Sequence, residues 1–262
     1  LHYTDYPSLL VYYAALVCFE AENLLKVSKY LAVDAYFSRL PFVEQVCDAG
    51  LEIISRLRDD ADLLYPYVGP HPKRRGAKTK YLGKLDPKNL DEAYFTCCIK
   101  EEGYSVFEGT VYSKSLKRQI RLALMHTYKE DGTVKSHKIF FSTDLTLSGT
   151  DIFIYYKSRF QIEFLYRDAK QFTGLEHCQS KSETKLHFHF NTALTTVSLA
   201  KAIDHLSQSI DKRKPFSMAD MKTQYFNELL FDLIIHKCGI CPHQAKIIQL
   251  KKNVLNFGKI RA

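Results

Sequence analysis

Apolar residues recur at helical spacing from about Pro7 to Lys26, and the short apolar run "KYLAV" then predicts a strand that ends at Asp34. "PFVEQVCDAG" reads as a helix closed by Gly50, and "LEIISRL" as a second strand, so the segment predicts a βαβ unit. Further on, "YSVFEGTVY" and "QIRLALMHTY" carry strand signals. In the latter, Ile120, Leu122 and Leu124 alternate with Arg121, Ala123 and Met125, the pattern of a strand with one face buried. "EDG" at 130–132 supplies a turn, and "HKIFFSTD" a strand that again ends in an aspartate, Asp144. From Thr150 onward the period becomes helical, through "HFNTALTTVSLAKAIDHLSQSI" to "SMADMKTQYFNELLFDLIIHK", where Ser217 is placed to cap. The outline is a mixed sheet followed by helices, with no internal repeat.

The stretch "YYKSRFQIEFLYRDAKQF", 155–172, predicts one helix with two unlike faces. Tyr156, Arg159, Glu163 and Lys170 fall within about 60° of one another, with Arg167 close beside them. Ile154, Ile162, Leu165, Ala169 and Phe172 share the opposite face. Ordinary surface ion pairs would account for such a stripe, because Arg159, Glu163 and Arg167 follow one another at intervals of four.

Composition narrows the picture. The 262 residues are 46% hydrophobic, enough for one large core or two small ones. No apolar run approaches the roughly 20 residues of a membrane span, and no leader-like segment opens the chain, which predicts a soluble, cytoplasmic product. Because the chain opens on Leu1 and runs almost at once into a helical pattern, a preceding N-terminal part is expected.

Thirty-seven basic against twenty-nine acidic residues give a net charge of +8, which suits a polyanionic partner. Seven of those cations (Lys73, Arg74, Arg75, Lys78, Lys80, Lys84 and Lys88) lie between Val68 and Leu90 against the single acid Asp86, which predicts a basic insertion loop over about 68–90, free in solvent or in contact with phosphates. The seven scattered cysteines predict reduced thiols. "HKCGICPH" packs four possible zinc ligands too tightly to surround one ion.

Two strands ending in Asp34 and Asp144, with Glu163 nineteen residues after the second, suggest a metal site. Hard divalent ions take oxygen ligands, and two such ions about 4 Å apart can hold both the attacking and the leaving oxygen of a phosphoryl transfer. Strand-end aspartates are equally at home as turn and capping residues, as Asp59 and Asp60 illustrate.

Tyr156, Arg159, Glu163 and Lys170 together resemble the Y-R-E-K signature of the cut-and-paste DDE transposases of bacterial insertion sequences. "YLAVDAYFSRLPFVEQV", "SRLRDDADL", "FFSTDLTLSG", "FLYRDAKQFTGLEHCQS" and "KLHFHFNTALT" resemble other parts of that family, over about Asn23 to His205. The resemblance implies an α/β, ribonuclease-H-like mixed sheet with flanking helices and a helical C-terminal part, divided as a catalytic domain over 1–205 and a helical region over 206–262. It implies metal-dependent cleavage at transposon ends and strand transfer into target DNA. Two Mg²⁺ ions, or Mn²⁺ in their place, would sit on Asp34, Asp144 and Glu163. Tyr156, Arg159 and Lys170 would grip DNA phosphates, with Lys73, Arg74 and Arg75 adding contacts. The partners implied are double-stranded DNA, as terminal inverted repeats and target, and a second copy in the DNA complex; the setting implied is a bacterial cytoplasm, with the protein on the nucleoid when bound to DNA.

Some relatives stack a flipped base on a tryptophan, and this chain has none. Three rival readings stand beside the enzyme. They are a transposase remnant that only binds DNA, another ribonuclease-H-like nuclease such as a junction resolvase, and a basic helical scaffold.

Overall fold

The structure, a computed structural model, describes residues 2–69 and 78–260, and its chain forms two compact units, Leu1–Arg159 and Phe160–Ala262. The division falls within the stretch expected to be one helix. A continuous helix of the second unit, Glu183–Ser207, runs across positions 205 and 206.

The first unit opens with α1 (Leu9–Phe19), whose N-terminus Ser8 caps by accepting from the Val11 N–H, and α2 (Ala21–Leu25). The two replace the single helix expected over 7–26. β1 (Tyr30–Ala32) then runs into a 3₁₀ turn, Ala35–Phe37, and α3 (Leu40–Asp48). Pro41 suits the first turn of α3, where its missing N–H leaves no intrahelical bond unmade. Gly50 takes φ 88°, a left-handed conformation that turns the chain back into β2 (Glu52–Leu57). β1 and β2 pair in parallel, which confirms the βαβ unit.

β3 (Leu63–Pro66), β4 (Tyr81–Lys84) and β5 (Thr96–Glu101) come next. A long antiparallel meander follows, β6 (Tyr104–Ser113), β7 (Arg118–Tyr128) and β8 (Val134–Ser142), with Gly132 at φ 79° in the last turn. The sheet order is β1-β2-β8-β7-β6-β3-β4, and β5 also pairs with β6. Where the sequence predicts only a basic loop, β4 forms a hairpin with β3; Lys73, Arg74 and Arg75 lie outside the described residues. Period-2 alternation is weak in the short runs of β3, β4 and β5, so tertiary pairing rather than local pattern makes them strands.

Helices cover both faces of this sheet. Ile53, Leu122, Leu124 and Phe141 join Ala14, Phe42 and Val46 of the α1–α3 layer. Ile54, Ala123 and Phe140 pack instead with Ile152 and Phe153 of α4 (Gly149–Ser158). β7 is therefore buried on both sides, and the face expected to meet water meets α4: Ala123 is fully buried.

The second unit is all helix: α5 (Gln161–Phe172), α6 (Glu183–Ser207), α7 (Met218–Lys237) and α8 (Ala245–Leu255). Ser217 caps α7 as expected, accepting from the Asp220 N–H. Ala169, Leu175, Ala193, Val197 and Met221 form its core. Lys251 of α8 ties back to α7 through Glu228 and Asp232, both at 2.9 Å.

α4 starts against β6. The Gly149 N–H donates to the Glu108 carboxylate, whose other oxygen holds Arg121 at 3.0 Å. A Cβ on Gly149 would stand 2.6 Å from the Glu108 Cβ. Gly149→Ala is expected to cost about 1–3 kcal/mol by overpacking, read as a lowered urea midpoint with an unchanged slope.

Candidate active site

Asp34 and Asp144 both follow strands, but the strand directions send them to opposite ends of the sheet. Ala32, Ile54 and Ser142 stand side by side across β1, β2 and β8. β1 and β2 run one way and β8 the other, so Asp34 lies two residues beyond that row on the Arg56 side and Asp144 two residues beyond it on the Glu52 side. Four residues of extended chain span roughly 13 Å. The strand directions do not draw Asp34 and Asp144 together: spacing along the chain shows that each ends a strand but not which way the strand points.

The surroundings of the two carboxylates differ just as much. Asp34 is exposed at the start of the 3₁₀ turn, where its Oδ1 accepts only the N–H of Ala35 among the bonds described, at 2.8 Å. Asp144 is buried, and its oxygens are saturated. Oδ2 accepts from the Lys29 ammonium at 2.7 Å and the Tyr30 hydroxyl at 2.9 Å. Oδ1 accepts from the Thr146 N–H at 2.8 Å and its hydroxyl at 2.6 Å. The Lys29 ammonium above all, with Thr146 next, holds the Asp144 carboxyl well below the usual carboxylate range, and the same bond raises Lys29. Asp144 thus pins the β8–α4 turn to the start of β1. "KY" ahead of "LAVD" was the only trace of this node in the sequence, and its partner lies 115 residues away.

The signature residues divide between the units. α4 ends at Ser158, where the Arg159 N–H bonds to the Tyr156 carbonyl, and α5 begins only at Gln161. Tyr156 and Arg159 belong to the first unit, Glu163 and Lys170 to the second. The break also resets the faces. The Tyr156 ring packs inward on Phe140, with centroids 4.9 Å apart, and the Arg159 guanidinium lies 5.8 Å from the Tyr156 centroid. Ile154 and Ile162, expected in the core, are about half exposed. Leu165, Ala169 and Phe172 pack inward as expected. On α5, Glu163 and Lys170 are seven apart on one exposed face, and Lys170 pairs with Glu176 at 2.6 Å. Arg167 pairs with the buried Asp168 at 2.8 Å. A pocket of about 690 Å³ in the second unit is lined by Phe164, Leu165, Asp168, Lys201 and Phe216, and Glu163 is not among its lining residues.

Neither unit taken alone brings three His, Cys, Asp or Glu side chains together as a metal-holding set among the described residues. The carboxylates of Asp34 and Glu163 have the chemistry of hard-cation ligands and are exposed, whereas Asp144 is committed to its four internal donors.

The transposase DDE domain family model matches residues 18–199, more than half of the chain, and the chain belongs to that family. Its mixed eight-stranded sheet with flanking helices agrees with the ribonuclease-H-like fold of such transposases. Family membership assigns the chain to transposition, with DNA as the substrate class. No curated protein matches it. No helix among the described residues is long and apolar enough to cross a membrane.

Asp144→Asn is expected to destabilise the first unit by about 1–3 kcal/mol at neutral pH, since it removes the charge from a buried, fully bonded acceptor. A carboxyl held below its unfolded value stabilises the fold above that value, near 3.9, and loses the effect as pH falls through the folded one. The difference between wild type and variant in denaturant titrations should therefore be flat from pH 8 to 5 and shrink below about pH 4.

Proposed function

We propose that the chain carries out metal-dependent cleavage of DNA at the ends of a bacterial insertion sequence and joins those ends to target DNA. The observation that carries this reading is the family match over 18–199, supported by the spacing of Tyr156, Arg159, Glu163 and Lys170.

Asp34 and Glu163 are the metal-holding carboxylates in this proposal, and Asp144 serves as a positioning residue for the turn that leads into α4. Asp34 and Glu163 would hold Mg²⁺, as two ions or with Mn²⁺ in their place, which when bound would supply activation of a water and stabilisation of charge on the scissile phosphate. Arg159 and Lys170 neutralise phosphates of the strand being cut, the first through a planar fork and the second as a point charge. For Lys170 to do so, its pair with the exposed Glu176 must open; surface pairs of this kind are held by about 1 kcal/mol or less, well within what a phosphate contact offers. Tyr156 contributes mainly by packing, which fixes where Arg159 stands. Terminal inverted repeats, target duplex and a second copy in the DNA complex are the proposed partners. The nucleoid is the proposed setting.

The alternative, a remnant that binds DNA without cutting it, gains from the saturation of Asp144: one of the three expected ligands is not available as the chain stands.

The test is cleavage of a labelled duplex carrying the element's terminal repeat, with Mg²⁺ or Mn²⁺. Asp34→Asn and Glu163→Gln should each lower cleavage at least about 10³-fold while duplex binding persists, in line with the several kcal/mol a metal contributes to phosphoryl transfer. Asp144→Asn, assayed where it is folded, should keep cleavage within about tenfold of wild type. A wild type that binds the duplex and never cuts it would favour the remnant.

A further inference from the structure

The outer edge of the first unit carries charge that the carboxylates do not use. β4 ends the sheet, with Lys78 and Lys80 before and at the start of the hairpin arm and Lys84 at its end, all exposed. Beside it, through β3, stands the β6–β7 turn with exposed Lys114 and Lys117. The two elements are joined at one acid. Asp62 holds Lys114 at 2.8 Å and Lys84 at 3.7 Å, so two ammonium groups that are far apart in sequence are kept near each other. Five lysines against Asp62 leave this ridge at about +4, while the nearby Asp59 and Asp60 are already paired with Arg56 and Arg58. On the same strands, the partly exposed rings of Tyr81 and Tyr112 meet at a tilt of 37° with centroids 4.7 Å apart. Lys117 sits at φ 51°, a left-handed conformation that glycine or asparagine adopts more cheaply.

Lysines on an edge strand have a second use, which is to keep the edge from pairing with other chains. Lys114 and Lys117 are not explained that way. They belong to a turn between two interior strands, and Lys114 shares Asp62 with Lys84 of the edge strand.

We propose that this ridge is a duplex-DNA docking surface, on which Lys84, Lys114 and Lys117 contact the phosphate backbone at a distance from the cleavage site. The proposal rests on the transposase reading and adds a second, non-catalytic contact to it. Duplex DNA is the partner that a rigid, exposed row of cations fits, because phosphates recur at fixed intervals along its backbone. β4 is six strands away from β1 and Asp34, or roughly 29 Å along the sheet. At 3.4 Å per base pair that corresponds to about eight base pairs, so the ridge would engage duplex flanking the bond to be cut.

The experiment compares the full chain with Lys84→Gln/Lys114→Gln/Lys117→Gln and with the matching triple Lys→Arg variant. Binding to a terminal-repeat duplex is followed by fluorescence anisotropy across a salt series, with circular dichroism as the check on folding. The Gln variant should bind at least about tenfold more weakly at 100 mM salt, and its log–log salt slope should be smaller in magnitude by about 2 to 3. The Arg variant should bind as wild type does. Trimming ten base pairs of flank should weaken wild type and leave the Gln variant nearly unchanged. At saturating DNA both should cut at the same rate. A folded Gln variant with wild-type affinity and slope would overturn the proposal, and self-association of that variant would assign the lysines to edge protection instead. If wild type itself does not bind the duplex, it is the transposase reading that fails.

Discussion

The antiparallel pairing of β2 with β8 governs where the chemistry of the first unit can lie. β1 and β2 are parallel and linked through α3, so both deliver their C-terminal residues to the same end of the sheet. β8 runs against them and delivers its own to the other end. Asp34 and Asp144 follow strands of opposite sense, so their backbones are offset by roughly 13 Å along the strand direction. What each carboxylate meets then follows from its end. One is exposed at the start of a 3₁₀ turn. The other is buried beneath the β8–α4 turn, where only a fully hydrogen-bonded anion is tolerable.

That burial explains why Asp144 has so many donors. A carboxylate removed from water without partners would be costly, and Lys29, Tyr30 and both polar groups of Thr146 supply what water would have given. The bonds also join the start of β1 to the start of α4, the helix that carries Tyr156. The same side of the sheet is tied again by Glu108, which accepts the Gly149 N–H and holds Arg121. The buried Asp144 and the partly buried Glu108 thereby fix the start of the helix that carries Tyr156.

Much of the fold was legible in the sequence because its long strands have strong periods. β2, β6, β7 and β8, α3 with Gly50, and the Ser217 cap all stand where the pattern predicts them. β4 hides in a run of lysines and glycines whose strand character comes from its partner β3. The break at Arg159–Phe160 has no Pro or Gly to announce it, so periodicity alone carried one helix straight through. The site was legible as a set of residue types and illegible as geometry. Spacing groups Tyr156, Arg159, Glu163 and Lys170 as candidates, but strand direction, which separates Asp34 from Asp144, depends on pairings between residues some ninety positions apart.

The central claim is that the two aspartates have different tasks, Asp34 toward metal and Asp144 toward the fold. Mn²⁺ binding, followed by the loss of the free-ion electron paramagnetic resonance signal in the full chain with terminal-repeat duplex present, separates them most directly. Asp34→Asn should lower the affinity for Mn²⁺ by at least about tenfold, while folded Asp144→Asn should bind as wild type does. The reverse pattern, with Asp144→Asn losing the ion and Asp34→Asn keeping it, would contradict the account.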